Sequence, residues 1–414
     1  TCSRGFEPIL CKELRRLNLN NVNEGIGSVR FQGTISDGMK AALWTRLGSR
    51  VLLEISRFSG MDQDALYEGI RDIPWEDHMN KHDTLWINFT GYSKQIRHSQ
   101  FAARKAKDAI ADRFRDLTGS RPSVDKDADL RIHIHLSHGM FSVAIDLCGD
   151  PLHLRTPNRQ ITDAPLKENL AAALIHWSGW VSQAKKGVPF MDPLCGSGAI
   201  ALEAMGIACN KAANIERRDW NFKKWKQYEP KLWKELVSEA RAGELDEPMA
   251  PIYAQDIDAT AIRYTRENAR AQKVPSPILK VSPVNRLRPP EGVENGFIVT
   301  NPPYGERIGS HAHVDEVYED FGFALAEFEG WKVFLLCPPN DLYLAAGYNR
   351  TGDRLTLHNG PLKCRFLELN LENPFVIPRK EVVPEEVSEE EVPKDATEET
   401  LEEAPQDAME KTPE

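Results

Sequence analysis

The sequence lacks the features that define several large classes of protein. No apolar run in its 414 residues is long enough for a membrane-spanning helix, and no two of the seven cysteines form a CxxC pair. This scatter argues against a disulfide framework, a structural zinc site and an iron–sulfur cluster. The first sixteen residues carry six charged side chains instead of the apolar core of a secretory signal. We therefore expect a cytoplasmic protein with no membrane partner and no metal.

Net positive charge is also missing, which at first argues against a nucleic-acid partner. The formal net charge is −10, but residues 381–414 alone contain 14 acidic and 2 basic side chains. Subtracting these from the totals of 62 and 52 leaves 48 acidic and 50 basic residues in 1–380, a net of +2. Residues 378–414 also contain few large apolar side chains, so we predict a disordered acidic tail.

The length predicts two or three domains. Residues 1–152 mix amphipathic helices with short strands, which is typical of an α+β fold, and residues 153–165 resemble a proline-containing linker. In the first region we expect helices at 6–18, at 37–47 and from a Ser99 cap onward, and strands at 29–31, at 51–55, after 83 and in a hairpin through 130–149.

Residues 166–377 alternate between helices and strands, which predicts an α/β fold with a parallel sheet. We expect helices at 166–182, 198–209, 258–271 and 313–328, strands at 188–192, 252–255, 296–300 and 332–337, and a closing strand pair around 354–371. In such folds the ligand binds at the carboxyl ends of the strands.

A glycine loop follows the first strand of this α/β region. In MDPLCGSGAI, Asp192 ends a buried strand, and Gly196 and Gly198 let the backbone approach a ligand at a helix N-terminus. A carboxylate there suits the ammonium group of a methionine moiety but would repel a pyrophosphate. Asp256 suits ribose hydroxyls, yet it lies 58 residues beyond Gly198 instead of the ~20 of a dinucleotide site. Both features favour S-adenosylmethionine over NAD.

The tetrapeptide Asn301-Pro302-Pro303-Tyr304 follows another apolar strand and points to the chemistry. Its two prolines fix the backbone and remove two N–H donors, so the turn presents carbonyl oxygens. The Asn301 side-chain oxygen and the Pro302 carbonyl could accept both protons of an exocyclic base amine, which would free the nitrogen lone pair for attack on a sulfonium methyl group. Tyr304 would stack on the base. The motif is compatible with adenine N6, guanine N2 and a glutamine amide.

Eight segments between residues 4 and 372 share a pattern with one family, and these are LWTRLGSRVLLEI, RHSQFAARKAKDAIADRF, DLCGDPLHLR, APLKENLAAA, MDPLCGSGAI, WNFKKW, NPPYGERIG and NGPLKC. Together they resemble the THUMP-containing amino-methyltransferases, and within that family the guanine-N2 methyltransferase half of the bifunctional 23S ribosomal RNA enzymes. The resemblance implies a ferredoxin-like segment and a THUMP RNA-binding domain, followed by a Rossmann-like, S-adenosylmethionine-dependent domain with a mostly parallel seven-stranded sheet. The fused guanine-N7 half of those enzymes has no counterpart in the sequence, so its activity is not inferred.

The same resemblance implies roles for individual residues. The cofactor site would comprise Asp192, Cys195, Gly196, Ser197 and Gly198 at the methionine end, Asp256 at the ribose and Asn285 at the adenine. Asn301, Pro302 and Tyr304 would hold the target amine. One position departs from the pattern, because Pro283 stands where such enzymes usually carry an acidic residue near the adenine. Asn285 or the Val284 backbone would have to replace it.

Residues 94–115 provide a candidate RNA surface, with seven basic and two acidic side chains. The predicted phosphate contacts are Lys94, Arg97, Arg104, Lys105 and Lys107. By itself this pattern would indicate an ordinary solvated helix face, but the resemblance favours an RNA-binding THUMP domain.

Two other groups of side chains favour a structural role. The aromatic residues of 211–241 could stack on unpaired bases, yet we expect them to pack as one amphipathic helix on the domain. His133 and His135 alternate with apolar residues on the hairpin, so we expect a solvent-facing pair and no metal site.

The sequence therefore predicts an S-adenosylmethionine-dependent methyltransferase that modifies the N2 amine of a specific guanosine in 23S ribosomal RNA. A base inside a helix is unreachable, so we expect the enzyme to act on loop or unfolded RNA, free or in assembly intermediates, or to flip the guanine out of its helix. Adenine-N6 methylation of DNA or RNA is the alternative within the same class. A non-catalytic ribosome-assembly factor is the alternative from another class, and the intact Asp192 and NPPY motif argue against it.

Overall fold

The structure is a computed structural model that describes residues 1–162, 165–304 and 311–375, with the backbone alone at 311–313. Its first two helices flank an antiparallel strand pair, and these elements are α1 (Glu7–Arg16), β1 (Asn20–Glu24), β2 (Val29–Gln32) and α2 (Ile35–Trp44). Thr34 caps α2 because its hydroxyl accepts the backbone N–H of Asp37, whose carboxylate accepts that of Thr34.

A five-stranded mixed sheet follows, with strand order β3-β7-β6-β4-β5. Its elements are β3 (Leu52–Ser59), α3 (Gln63–Arg71), β4 (Thr84–Gly91), α4 (Ser99–Thr118), β5 (Ser123–Val124), β6 (Leu130–Ser137) and β7 (Met140–Asp146). The predicted hairpin is confirmed as β6 and β7, joined at His138 and Gly139 with φ of 50° and 72°. Because both turn residues have positive φ, the turn matches the right-handed twist of its strands.

The rest of the described chain forms a seven-stranded sheet with strand order β10-β9-β8-β11-β12-β14-β13. Its strands are β8 (Phe190–Asp192), β9 (Ile252–Asp256), β10 (Ile278–Val281), β11 (Phe297–Thr300), β12 (Lys332–Cys337), β13 (Tyr348–Asn359) and β14 (Leu362–Pro374). The helices are α5 (Glu168–Ser178), α6 (Trp180–Ala184), α7 (Ala199–Ala208), α8 (Pro230–Ala242), α9 (Ala259–Gln272) and α10 (His311–Leu325). The five strands from β10 to β12 are parallel and the closing pair is antiparallel, which confirms the predicted mostly parallel sheet.

Several local predictions were incomplete or wrong. No element is predicted at β1, α3, β5 or β10. The three strands have five residues or fewer, whereas α3 is a nine-residue amphipathic helix that buries Leu66 and Ile70. The predicted helix at 166–182 is interrupted at Gly179, where φ is +84°. The prediction that Ser99 caps α4 was wrong, because Ser99 is the first helical residue and His98 occupies the cap position without a side-chain hydrogen bond.

The aromatic segment between α7 and α8 packs against the five-stranded sheet. Trp220, Phe222 and Trp225 are at most 3% exposed and share a core with Ile132 and Ile145. The preference for packing is confirmed, but the prediction of one helix was wrong, because a 3₁₀ turn at 221–224 precedes α8. These rings are unavailable to bases, and they attach the segment between α7 and α8 to the core of the five-stranded sheet.

A second contact between the two regions is ionic. Arg46, Arg155, Glu168 and Glu203 are all at most 9% exposed, and we call them the ionic cluster. Glu203 lies 2.9 Å from Arg46 Nη1 and 3.3 Å from Arg155 Nε, while the backbone N–H of Arg155 donates to Glu168 at 3.0 Å. This part of the predicted linker is therefore packed into the protein.

None of the described helices is both long and apolar enough to cross a bilayer. The predicted tail, 378–414, lies outside the described residues. The domain boundaries at 152, 165 and 377 stay predictions.

Candidate cofactor and amine site

Three neighbouring parallel strands bring the candidate site together at one edge of the large sheet. β8 ends at Asp192, β9 ends at Asp256, and Asn301 follows the end of β11. Thr300, the last residue of β11, donates its hydroxyl hydrogen to Asp192 Oδ1 at 2.8 Å. The carboxyl ends of adjacent parallel strands form the usual ligand crevice, and the residues predicted from the sequence lie at this edge.

The glycine loop between β8 and α7 is held rigidly from both sides. Gly196 has φ of +52° and donates its N–H to Asp256 Oδ2 at 2.8 Å. Gly198 has φ of +86°, and a Cβ there would lie 2.6 Å from Thr265 Cγ2. Neither position accepts a larger residue without strain, because both lie in the left-handed region. At Gly198 a side chain would in addition clash with Thr265.

Two polar residues on α9 fix the loop carbonyls. The Thr265 hydroxyl donates to the Gly196 carbonyl at 3.0 Å, and Asn268 Nδ2 donates to the Ser197 carbonyl at 3.0 Å. Cys195 is buried, and its backbone N–H donates to the Gln255 carbonyl at 2.9 Å. Burial raises the pKa of the Cys195 thiol well above its usual value, so this side chain stays a neutral lining group.

The two carboxyl groups lie in a setting that lacks a compensating cation. Asp192 is 1% exposed, and burial raises its pKa to about 7 despite the hydrogen bond from Thr300. Burial also raises the pKa of Asp256, although three backbone N–H groups oppose the shift. Within the described part of the chain, no Lys, Arg or His forms an ion pair with either of them. A cationic ligand group would therefore be stabilised beside Asp192.

The turn after β11 buries an unsatisfied acceptor. Asn301 Oδ1 is inaccessible to solvent and has no hydrogen-bond partner among the residues that the structure describes. Pro302 is buried, whereas Tyr304 is 8% exposed and accepts a hydrogen bond from Asn359 Nδ2 at 3.0 Å. The Cys364 thiol lies 3.7 Å from the same hydroxyl oxygen. Residues 305–310, GERIGS, which carried part of the family pattern, lie outside the described residues.

Asn285, the candidate adenine contact, lies beyond the end of β10 at the same edge of the sheet and faces solvent. Asn285 lies in a 3₁₀ turn after β10, is exposed, and donates to Asp320 Oδ2 at 3.2 Å. The Pro283 carbonyl accepts a hydrogen bond from Gln255 Nε2 at 3.0 Å, so this proline supports the edge of β9. Ile257, which sequence reasoning passed over, exposes 68% of its surface directly after Asp256. The Asp-Ile-Asp pattern at this strand end is the sequence signal that singles out Ile257, because it places an apolar side chain between two carboxylates after β9.

The candidate RNA residues lie on α4 and on the connection from β4 to it, and not at the candidate cofactor site. Lys94, Arg97 and Arg104 are exposed, and none of them forms an ion pair with any described residue. Lys105 Nζ lies 3.9 Å from Asp64 Oδ1, and Lys107 pairs with Asp108. The structure therefore divides the predicted set into three free cations and two partly neutralised ones.

The histidine pair needs a correction. His135 faces solvent as predicted, but His133 is half-buried and its Nε2 lies 3.5 Å from Oδ2 of the buried Asp146. The alternating pattern did not predict this contact, because it does not show which side chain of the neighbouring strand faces His133. Among the described residues, no three His, Cys, Asp or Glu side chains are grouped as a metal site would need.

Comparison with known families decides the classification. Residues 156–368 match the family described as RMKL-like, methyltransferase domain. The chain belongs to the RMKL-like methyltransferase family. Residues 1–52 also match the RlmL ferredoxin-like domain, and residues 61–146 match the THUMP domain. The resemblance drawn from the sequence is thereby confirmed, as are its ferredoxin-like, THUMP and methyltransferase folds.

Individual relatives agree with the family. The ribosomal RNA large subunit methyltransferase K/L of Psychromonas ingrahamii is 37% identical over 368 residues, which are 87% of this chain and 48% of that protein. Its counterpart in Aeromonas hydrophila is 37% identical over 402 residues, 92% of this chain and 55% of that protein. The chain therefore spans about half the length of the curated relatives it matches.

Solved structures give the same fold. A protein from Clostridium difficile 630, described as a possible methylase, superposes with a TM-score of 0.80 at 28% identity, covering 92% of this chain and 98% of that one. SMU.472, solved in complex with SAH, gives 0.77 at 27% identity with 89% and 96% coverage. A Listeria monocytogenes protein described as a predicted N6-adenine-specific DNA methylase gives 0.78 at 25% identity with 89% and 94% coverage. The cofactor prediction agrees with the SAH found in one of these relatives.

Proposed function

We propose that this chain transfers a methyl group from S-adenosylmethionine to the N2 amine of a guanosine in 23S ribosomal RNA. The observation that carries the proposal is the buried and unpartnered Oδ1 of Asn301 at the end of β11. A buried acceptor without a partner is costly, at about 1–3 kcal/mol, so its retention needs an explanation. A donor supplied by the substrate is the explanation that the neighbouring residues support.

The residues at the sheet edge fit the proposed cofactor. Asp192 offers a buried carboxyl group with no cation of its own, which suits the ammonium of the methionine moiety. Gly196 and Gly198 have no Cβ, so a ligand can approach the backbone of this loop closely, and Asp256 and Ile257 offer a carboxylate and an apolar surface for the nucleoside. S-adenosylmethionine, when bound, supplies an electrophilic methyl group on a sulfonium. Asn285 remains the proposed adenine contact, although its side chain already donates to Asp320.

The chain's own contribution to the reaction is orientation of the amine. Asn301 Oδ1 accepts one amine proton and the Pro302 carbonyl accepts the other, which directs the nitrogen lone pair away from the base ring. Neither group has to remove a proton before transfer, because the amine proton becomes acidic only once nitrogen carries the methyl group. The hydroxyl of Tyr304 is held by Asn359, so the tyrosine is fixed in the core and only its exposed edge could contact a base.

The choice of guanine N2 in large-subunit RNA rests on the relatives. The curated relatives are named ribosomal RNA large subunit methyltransferases K/L, and residues 1–52 match a domain named for RlmL. A THUMP domain beside the catalytic domain supports an RNA substrate. The second candidate, adenine N6, is favoured by the description of the Listeria relative. Both amines present two protons to the same acceptors, so the site alone leaves the choice to experiment.

A reconstitution experiment separates these candidates. The purified chain is incubated with a 23S ribosomal RNA transcript and S-adenosylmethionine, and the digested nucleosides are identified by mass spectrometry. We expect N2-methylguanosine with the wild-type chain and none with Asn301→Ala. N6-methyladenosine would establish the second candidate, and the absence of any methylated nucleoside in free and ribosome-derived RNA would refute the proposal.

A further inference from the structure

One end of the five-stranded sheet exposes an unusual group of large side chains. These are Met61 at 55% exposure, Tyr92 at 84%, Phe101 at 50% and Met140 at 37%, and we call them the sheet tip. They come from three chain segments, because Met61 follows β3, Tyr92 and Phe101 flank the connection from β4 to α4, and Met140 begins β7. Neither aromatic ring stacks on another ring of the described chain. Single exposed apolar residues are ordinary, but a group at one end of a sheet marks an interaction surface.

Hydrogen bonds connect the three segments of the sheet tip. The Gly60 N–H donates to the Gly139 carbonyl at 2.9 Å, and the Ser93 hydroxyl donates to the Met61 carbonyl at 2.5 Å. Gly91 has φ of +88°, and a Cβ there would lie 2.0 Å from the Leu136 carbonyl oxygen. The chain is thus fixed immediately before Tyr92, so the exposed ring is presented by a rigid backbone.

Positive charge surrounds these side chains. Lys94, Arg97 and Arg104 lie on the same connection or on the first turns of α4, and no described acidic side chain pairs with them. The first turn of α4 contains no acidic residue. Two acidic side chains follow Met61, where Asp62 caps α3 and the exposed Asp64 lies 3.9 Å from Lys105, so neither pairs with Lys94, Arg97 or Arg104. An apolar surface bordered by free cations complements a polyanion that carries aromatic rings.

We propose that the sheet tip binds unpaired RNA nucleotides, with bases stacked on Tyr92 and Phe101 and phosphates contacted by Lys94, Arg97 and Arg104. This inference rests on the proposed RNA substrate and adds how that RNA is recognised. Stacking on aromatic faces requires bases that are free of a helix, whereas a duplex presents only its phosphates and sugars to such a surface. The tip therefore selects loops or unfolded segments, which are the regions where a target base is accessible.

The test compares binding of two RNAs by fluorescence anisotropy. The probes are a single-stranded RNA of roughly 12 nucleotides and a duplex of the same length. The double variant Tyr92→Ala with Phe101→Ala should bind the single strand about 5- to 100-fold more weakly and the duplex within about twofold. Tyr92→Phe and Phe101→Tyr keep the rings and should retain the affinity. Ile278→Ala with Leu362→Ala removes two similarly exposed apolar side chains from the other sheet and should change neither.

Salt dependence separates stacking from charge. Arg104→Ala should reduce the slope of log affinity against log salt by about one, while the aromatic double variant leaves that slope unchanged. Unchanged single-strand binding in the double variant would overturn the proposal, and so would an equal loss for single strand and duplex. Either result leaves the proposed methylation standing if the wild-type chain still produces N2-methylguanosine, whereas the absence of that product refutes the proposed function by itself.

Discussion

Buried carboxyl groups occur in two regions, one before helix α7 and one within it. Asp192, at the end of β8 before this helix, is 1% exposed, has no described cation beside it and has a pKa raised to about 7 by burial. Within the helix, Glu203 is 2% exposed but lies within 3.3 Å of both Arg46 and Arg155. In the first region no described cation pairs with the buried carboxyl group, whereas in the second the buried carboxylate lies beside two arginines.

This difference separates a binding function from a structural one. Glu203 joins the N-terminal segment to the catalytic region, and its partners are supplied by the fold itself. Asp192 has no described cation beside it, and Asn301 Oδ1 has no described hydrogen-bond partner. Burial alone therefore does not identify a functional residue, and neither does a missing partner alone, since Asn169 Oδ1 and the Tyr318 hydroxyl are also buried without a described partner. The case for Asn301 rests on its position directly after Thr300, which binds Asp192 at the carboxyl edge of the sheet.

The largest effect is expected in the ionic cluster. Glu203→Ala leaves two buried guanidinium groups without their shared carboxylate, so we expect the free energy of unfolding to fall by about 3–5 kcal/mol. Denaturant unfolding followed by circular dichroism measures this change. Glu235→Ala, which removes an exposed glutamate 4.0 Å from Lys231, is the matched control and should cost less than about 0.5 kcal/mol. Equal losses for the two variants would show that the cluster contributes no more than a surface ion pair.

The second prediction concerns the open acceptor. Asn301→Ala removes no described hydrogen bond through Oδ1 and relieves the cost of a buried unpaired acceptor, so we expect the unfolding midpoint to stay the same or rise. Turnover should fall about 10- to 150-fold, because a hydrogen bond to an amine that develops charge is worth about 1.5–3 kcal/mol. Methyl transfer is measured with labelled S-adenosylmethionine, and cofactor binding by calorimetry serves as the control. Full turnover in a folded variant would exclude the assigned role.

The third prediction follows from the raised pKa of Asp192. A carboxylate that pairs with an ammonium group must be deprotonated, so cofactor affinity should rise about fivefold between pH 6 and the pKa of about 7, and about tenfold in all before it levels off about one unit above that pKa. In the free protein the native state holds this proton more tightly than the unfolded chain, whose pKa is near 3.8. Stability from this group should therefore fall as pH rises from about 4 to 7.

Asp192→Asn provides the control for both pH effects. It retains a carbonyl oxygen that can accept from Thr300, yet it does not titrate. In this variant, calorimetry and unfolding across the pH range should lack the part of the pH slope that Asp192 contributes, while other titrating groups such as Asp256 keep theirs. The same pH slope in wild type and variant would assign the titration to another group.

The smallest effect is expected at Tyr304. Tyr304→Phe removes the hydroxyl that binds Asn359 but keeps the ring, so the cost to stability should be about 0.5–1.5 kcal/mol, with turnover within a few-fold. Thermal unfolding and the methyl-transfer assay measure the two quantities. A turnover loss as large as that of Asn301→Ala would mean that the hydroxyl, and not the ring, acts on the substrate.

The sequence predicted the parts of the site that depend on local chemistry. The glycine loop, the acidic strand end at Asp256 and the NPPY turn each follow from residues that are adjacent in the chain and constrained by φ or by missing donors. The alternation of helices and strands gave the large sheet for the same reason, although the weakly patterned β10 was missed.

Contacts between distant residues could not be predicted in this way. Arg46 meets Glu203 across 157 positions, and the aromatic segment of the catalytic region enters the core of the small sheet. The support that Thr300 gives to Asp192, across 108 positions, also depends on which strands become neighbours. Local patterns identify the chemistry of a residue, whereas only the folded chain shows whether its partner is internal or external.

The most direct test of the account uses a strain in which the gene is deleted and then complemented with this chain. Mass spectrometry of the digested 23S ribosomal RNA reports the level of N2-methylguanosine. We predict that deletion lowers it by one site, that the wild-type chain restores it and that an equally expressed Asn301→Ala chain does not. An unchanged nucleoside profile after deletion, or full restoration by Asn301→Ala, would contradict the claim that the unpartnered acceptor at the end of β11 holds a guanine amine.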